Sequence, residues 1–148
     1  MTEIIRKDSD YAIRILVGLA LKDGEAPIAA KVLARTQEIP EDFIYKILRK
    51  LTRAGLTTGY MGTHGGFRLT GSPQDITMLQ VVSAIQGPVV VRKCCLDIES
   101  CPRQGACNIS IKLGVLQDSL TDSLVKITLA DILKENRSRV QRSETRIL

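Results

Sequence analysis

The residues best suited to chemistry are four cysteines, Cys94, Cys95, Cys101 and Cys107, gathered in one short segment. Secreted domains stapled by disulfides spread their cysteines along the chain, so this clustering points to metal or redox chemistry in a reducing compartment. Cys95, Cys101 and Cys107 form a C-x5-C-x5-C pattern, with Pro102 and Gly105 bending the chain between them, so three sulfurs can converge on one centre. Iron–sulfur clusters are held mainly by Cys thiolates, whereas zinc sites more often use close C-x(2–4)-C pairs. The spacing therefore favours an iron–sulfur centre over zinc, with a disulfide switch or buried structural cysteines as the remaining readings. Cys107 directly precedes an expected helix, whose positive N-terminal end favours a thiolate. Cys94, next to Cys95, is read as a spare thiol.

A second group of residues is basic. In the run Glu41 to Ala54, Phe43, Ile44, Ile47, Leu48 and Leu51 share an apolar face, leaving Tyr45, Lys46, Arg49, Lys50 and Arg53 largely on the other. Lys46 and Arg49, three residues apart, lie on neighbouring turns and can reach phosphates or base edges together. His64 is the only histidine, so no Ser-His-Asp or Cys-His constellation is available, and no flavin or nicotinamide motif is present. The chain is expected not to be an enzyme.

The elements that position these groups follow from apolar periodicity. Asp8 or Ser9 is expected to cap a first helix carrying Ala12, Ile15, Leu16 and Leu19, which ends near Asp23 and Gly24. A short helix over Ile28 to Thr36, a break at Gln37 to Pro40 and the run closed by Gly55 form a helix-turn-helix. Strands at Leu56 to Tyr60 and Phe67 to Thr70 flank Met61-Gly62-Thr63-His64-Gly65-Gly66, a glycine-rich hairpin. The order is that of a winged helix. Thr63, His64 and Gly65 at the hairpin tip are expected to track the sugar-phosphate backbone.

Thr77 caps a further helix to Gln86, with Met78, Leu79, Val82 and Ile85 expected to be buried and Gly87-Pro88 ending it. The cysteine segment follows as an irregular loop. From Asn108, Ile109, Leu113, Leu116, Leu120, Leu124 and Ile127 form a heptad-like seam, expected to pack against a second copy. Thr128 and Asp131 resemble a capping box for a short helix through Leu133.

The fold expected is mainly α with a small β-wing: a winged helix-turn-helix domain over 1–87, a cysteine loop over 88–107, a dimerisation helix and return segment over 108–133, and a basic, disordered tail over 134–148. A net charge of +5 favours a polyanionic partner. Aromatics at 3% disfavour stacking platforms for single strands, so duplex DNA is expected. No apolar run approaches the ~20 residues that span a bilayer, and a soluble, cytoplasmic protein without membrane contact is expected.

In this order the elements resemble the Rrf-type family of winged-helix transcriptional regulators, in its IscR-like and NsrR-like members. The resemblance covers about Ile5 to Leu133. It is carried by Asp10 to Arg14, Ile39 to Leu56, the wing Gly62 to Leu69, the helix Ile76 to Gly87, the cysteine triad, and Ile127 to Asp131. It implies a homodimer on palindromic promoter DNA, with an iron–sulfur cluster, [4Fe–4S] favoured over [2Fe–2S], controlling affinity. Two departures stand out. Met61 occupies the place of an arginine that opens an R-G-x-G-G-G wing, with His64 replacing a glycine, and Ser110 stands where the IscR-like pattern has a histidine ligand. Asp10 resembles a carboxylate that NsrR-like members contribute from the partner subunit. Asp10, Cys94 or an external thiol or water are thus the contenders for a fourth ligand. The competing functions are a winged-helix regulator with zinc or a thiol/disulfide switch, and an iron–sulfur redox protein without specific DNA binding.

Overall fold

The computed structural model describes residues 3–136 apart from 23, 25, 96, 98, 100 and 104–106, with the side chain of Cys95 also left aside. It contains α1 (Lys7–Ala20), α2 (Ala30–Thr36), α3 (Glu41–Arg53), β1 (Thr57–Tyr60), β2 (Gly66–Leu69), α4 (Met78–Gln86), a 3-10 turn (Lys93–Cys95) and α5 (Asn108–Lys126). A last helix, α6, covers residues 129–136. Among the described residues no helix is long and apolar enough to cross a membrane.

The apolar stripes of α1, α2 and α3 converge because each places its large aliphatics three and four apart. Ile15 and Leu16 of α1, Leu33 of α2, and Ile44, Ile47, Leu48 and Leu51 of α3 are all excluded from solvent and share one core with Val81 and Ile85 of α4 and Leu129 of α6. The turn between α2 and α3 passes through Glu38 in the left-handed region, at φ 54°. The wing is a two-stranded antiparallel ribbon running from Thr57 opposite Leu69 to Tyr60 opposite Gly66. Its return strand is steadied by Ile28, which exchanges backbone bonds of 3.0 and 2.9 Å with Phe67.

The start of α1 differs from expectation. The helix begins at Lys7, a residue before Asp8, with no side-chain cap. Ser9 lies inside the first turn, fully buried, and donates its hydroxyl to Gln86 Oε1 at 2.8 Å. A polar residue at a helix start reads as a cap from sequence; here the opposite helix supplies a better acceptor. Phe43, placed by periodicity among the buried residues, is 44% exposed and packs edge-on against Tyr11, ring centroids 6.0 Å apart.

Thr77 caps α4 as expected, in a full capping box with Gln80. Within that helix Val81, Val82 and Ile85 are buried, while Met78 and Leu79 pack only partly covered against a second small core. Thr128 and Asp131 cap α6: the Thr128 amide and hydroxyl donate to Asp131 Oδ2 at 3.0 and 2.8 Å. The two caps lie side by side, joined by Met78 N donating to the Ile127 carbonyl at 2.9 Å and Leu129 N to the Ile76 carbonyl at 2.8 Å. The helix runs three residues beyond Leu133, and the rest of the expected basic tail, 137–148, lies outside the described residues.

The seam of α5 is divided. Leu124 is buried against Val82 and Val89 of its own chain, with Leu120 packed on the same small core. Leu113 is half-buried, whereas Ile109 and Leu116 are 61% and 56% exposed. Sequence periodicity marks an apolar face without saying what covers it, and α4 covers the C-terminal half. Ile111, Val115 and Val125 are also exposed, on the opposite side of the helix at about 100° per residue.

Candidate nucleic-acid interface and cysteine segment

Burial of Ile44, Ile47, Leu48 and Leu51 fixes the rotation of α3, so the opposite face must meet solvent. On it lie Tyr45, Lys46 and Arg49, exposed as expected, with Arg53 at the helix end. Lys50 is different. It is half-buried, and its ammonium donates to the Ile85 carbonyl at 2.6 Å, so its charge faces α4 rather than the open surface. Alternation on a helical wheel assigns Lys50 to the polar side; the neighbour that takes it is thirty-five residues away in sequence.

The preceding helix adds cations that periodicity had not singled out. Lys31 and Arg35 of α2 lie four apart and are exposed, since Ala30, Leu33 and Ala34 fill its buried side. In helix-turn-helix proteins the first helix crosses the DNA backbone while the second enters the groove. The signal was available as an i, i+4 basic pair on the first helix of the motif.

At the wing, Thr63 and His64 are exposed, and the Gly65 amide closes the turn on the Gly62 carbonyl at 2.9 Å. A side chain at Gly65 would collide with the Tyr60 carbonyl, and one at Gly66 with the Ile28 carbonyl. Both positions therefore require glycine. Met61 is wholly exposed and its neighbour Tyr60 46% exposed, which makes the hairpin apolar where it leaves the strands. No Lys or Arg lies between Arg53 and Arg68.

The cysteines are less closely gathered. Cys94, Cys101 and Cys107 are free thiols of intermediate exposure. Among the described residues no three His, Cys, Asp or Glu side chains come together as a metal site, the Cys95 side chain not being one of those described. Cys107 occupies the N-cap position of α5. The Ser110 amide, then that of Ile109, favours its thiolate and holds the thiol below the usual range, although no side-chain bond completes a cap. The Ser110 hydroxyl is itself engaged, donating to the Cys107 carbonyl at 2.8 Å. Asp10 pairs with Arg14 of its own helix at 2.8 Å, both about half exposed.

Comparison with known proteins places these features together. Residues 5–135 match the family model Rrf2, iron-dependent transcriptional regulator. The chain is 30% identical over 127 residues to protein rrf2 of Nitratidesulfovibrio vulgaris, covering 86% of this chain and 85% of that protein. It is 28% identical over 130 residues to the HTH-type transcriptional repressor NsrR of Streptomyces coelicolor, covering 87% of each. Among solved structures, CymR, the global cysteine regulator of Bacillus subtilis, superposes with a TM-score of 0.71 at 27% identity, over 91% of this chain and 98% of that one.

Proposed function

The chain belongs to the Rrf2 family of transcriptional regulators, and on that premise we propose that it is a dimer whose hold on palindromic promoter DNA is set by an iron–sulfur cluster at Cys95, Cys101 and Cys107. Tyr45, Lys46 and Arg49 of α3 read the major groove, Thr63, His64 and Gly65 follow the backbone from the wing, and Lys31 and Arg35 add phosphate contacts. Lys50 is withdrawn from this set by its bond to Ile85. A second copy docks on the exposed part of α5, through Ile109 and Leu116, with Leu113 at its edge.

The observation that carries the cluster reading is Cys107. Its thiol is lowered by the amides that open α5, and like free Cys94 and Cys101 it belongs to the stretch of chain between α4 and that helix. Soft thiolate donors with no competing histidine suit iron–sulfur chemistry. When bound, such a cluster, [4Fe–4S] in preference to [2Fe–2S], supplies a centre sensitive to nitric oxide, redox state or iron–sulfur supply. Asp10 of the partner copy is the leading fourth donor; its Arg14 partner must first turn away. Anaerobic purification tests this. A brown protein with matched iron and sulfide, its spectrum altered by nitric oxide and by Asp10→Ala, supports the reading. A colourless protein containing zinc overturns it, and an Asp10→Ala variant with unchanged spectrum and DNA affinity removes Asp10 alone.

A second reading, a thiol switch, is favoured by the same lowered thiol, by free cysteines in the same stretch of chain and by the likeness to a cysteine regulator. It predicts a metal-free protein whose DNA affinity changes on mild oxidation and recovers with dithiothreitol.

A further inference from the structure

The C-terminal end of α4 is where four parts of the chain meet. The last carbonyls of a helix lack intrahelical partners and carry partial negative charge. No basic residue stands in the last turn of α4 itself. Lys50 of α3 supplies the missing charge by donating to the Ile85 carbonyl at 2.6 Å. One residue on, Gln86 holds the N-terminal segment: its Oε1 accepts from Arg6 N at 3.0 Å and Ser9 Oγ at 2.8 Å, and its Nε2 donates to the Ile4 carbonyl at 2.8 Å. Asp10 is the next residue after Ser9.

Beyond Gly87, whose φ of 85° turns the chain out of the helix, the segment leading to the cysteines is gripped by α5. Gln117 Nε2 donates to the Val89 carbonyl at 2.9 Å, and Gln117 Oε1 accepts from Val91 N at 2.8 Å. Val89, which accepts the first of these bonds, is buried against Val82 and Leu124. A path of hydrogen bonds and packing therefore runs from α5 and the residues just before Lys93, through Val89 and Gly87, to the carbonyl that Lys50 holds. Packed elements with specific bonds shift between discrete arrangements rather than yielding gradually.

We propose that Lys50 is a positioning residue: its bond to Ile85 carries a change in the cysteine segment to the recognition helix, so that Gln117, Ile85 and Lys50 act on DNA as one unit. The proposal rests on the reading that α3 contacts DNA and that the cysteine segment is the sensor.

A double-mutant cycle tests it. The probe is the duplex recovered by in vitro selection with the wild-type protein, titrated by fluorescence anisotropy at several salt concentrations. Gln117→Leu should change affinity at least ~5-fold in the wild-type background and less than ~2-fold in Lys50→Met, because the link is already cut. Lys50→Met should leave the salt slope unchanged, whereas Lys46→Met lowers it by about one. Lys50→Arg, long enough to reach the carbonyl, should restore the response to Gln117→Leu. Additive effects, a salt slope that falls with Lys50→Met as with Lys46→Met, or Gln117→Leu without effect in the wild-type background would each overturn the proposal. If circular dichroism shows Lys50→Met unfolded, Lys50→Gln takes its place in the cycle under the same criteria. Equal affinities for iron-loaded and chelator-treated wild-type protein would end the cluster reading while leaving the cycle's result on Lys50 intact.

Discussion

The winged-helix body and the segment from the cysteines through the outer half of α5 are built on opposite terms. In the body, α1, α3 and α4 bury nearly every large aliphatic they own, and the polar groups inside, Ser9 and Thr57, are both hydrogen-bonded. In the other region Ile109, Ile111, Val115 and Leu116 face solvent, and Cys94, Cys101 and Cys107 are free thiols. Burial supplies most of a domain's stability. The body thus closes its core within the chain, while the second region leaves large apolar groups at the surface. On the proposed reading this suits a sensing part, because a region of few buried contacts lets a ligand or a second copy shift its population.

The sharpest way to break the contrast is to truncate one residue in each region. Leu48→Ala, at a site excluded from solvent, should cost about 2–5 kcal/mol in denaturant unfolding. Ile111→Ala, 68% exposed, should stay within about 0.5 kcal/mol. Equal costs would mean that α5 is already packed in solution by something on its far side.

Charge placed in the two halves of the α5 seam divides them next. Leu116→Asp should release monomers in sedimentation while the body keeps its melting temperature, at a cost to the dimer of about 3–5 kcal/mol. Leu124→Asp buries its charge inside the chain and should lower the melting temperature directly. A dimer that survives Leu116→Asp would move the interface to the side of Ile111 and Val115.

On the face proposed to meet DNA, Lys46→Ala with Arg49→Ala should weaken binding to the selected duplex by about 2–4 kcal/mol and reduce its salt dependence, with the fold intact. A smaller effect is expected at the wing. Met61→Arg adds a cation to a hairpin that has none between Arg53 and Arg68, and should raise the salt slope by about one. It should also introduce a preference for narrow, A·T-rich minor grooves beside the site. No change in either would show that the wing stands clear of DNA.

The smallest effect concerns a single proton. In chelator-treated protein, Cys107 should be alkylated by iodoacetamide faster than Cys101 near neutral pH, because the amides of Ser110 and Ile109 favour its thiolate. The sign follows from an acid whose ionisation is favoured in the fold: Cys107 keeps the larger thiolate fraction below the usual thiol range, and the advantage disappears as pH rises through that range and both thiols ionise. Equal rates for the two thiols would mean that α5 frays at its start.

The body was legible in sequence because its signals are local. Three-and-four spacing gave the helices, Thr77 and Thr128 their caps, and the glycines between Tyr60 and Phe67 the wing. What escaped depends on contacts between distant residues. Ser9 looks like a cap until Gln86 is placed opposite it, and Lys50 looks solvent-facing until α4 ends beside it. Leu124 belongs to the same seam as Leu116 by period, yet α4 and Val89 claim it. The C-x5-C-x5-C pattern named the donor type without fixing where three sulfurs stand, since that depends on loop geometry rather than on spacing.

The joint between Thr77 and Thr128 has a consequence for how such a chain can change over time. It brings the start of α4 and the start of α6 into direct backbone contact, so residues leaving the body after α4 return to it at a fixed point. Closing a flexible loop costs only about 0.6 kcal/mol more for each doubling of its length. The intervening stretch can therefore be lengthened or shortened, or fitted with different donor residues, at little cost to the closure of the body. A socket of this kind would let one winged-helix body serve different signals by exchanging what is plugged between its two ends.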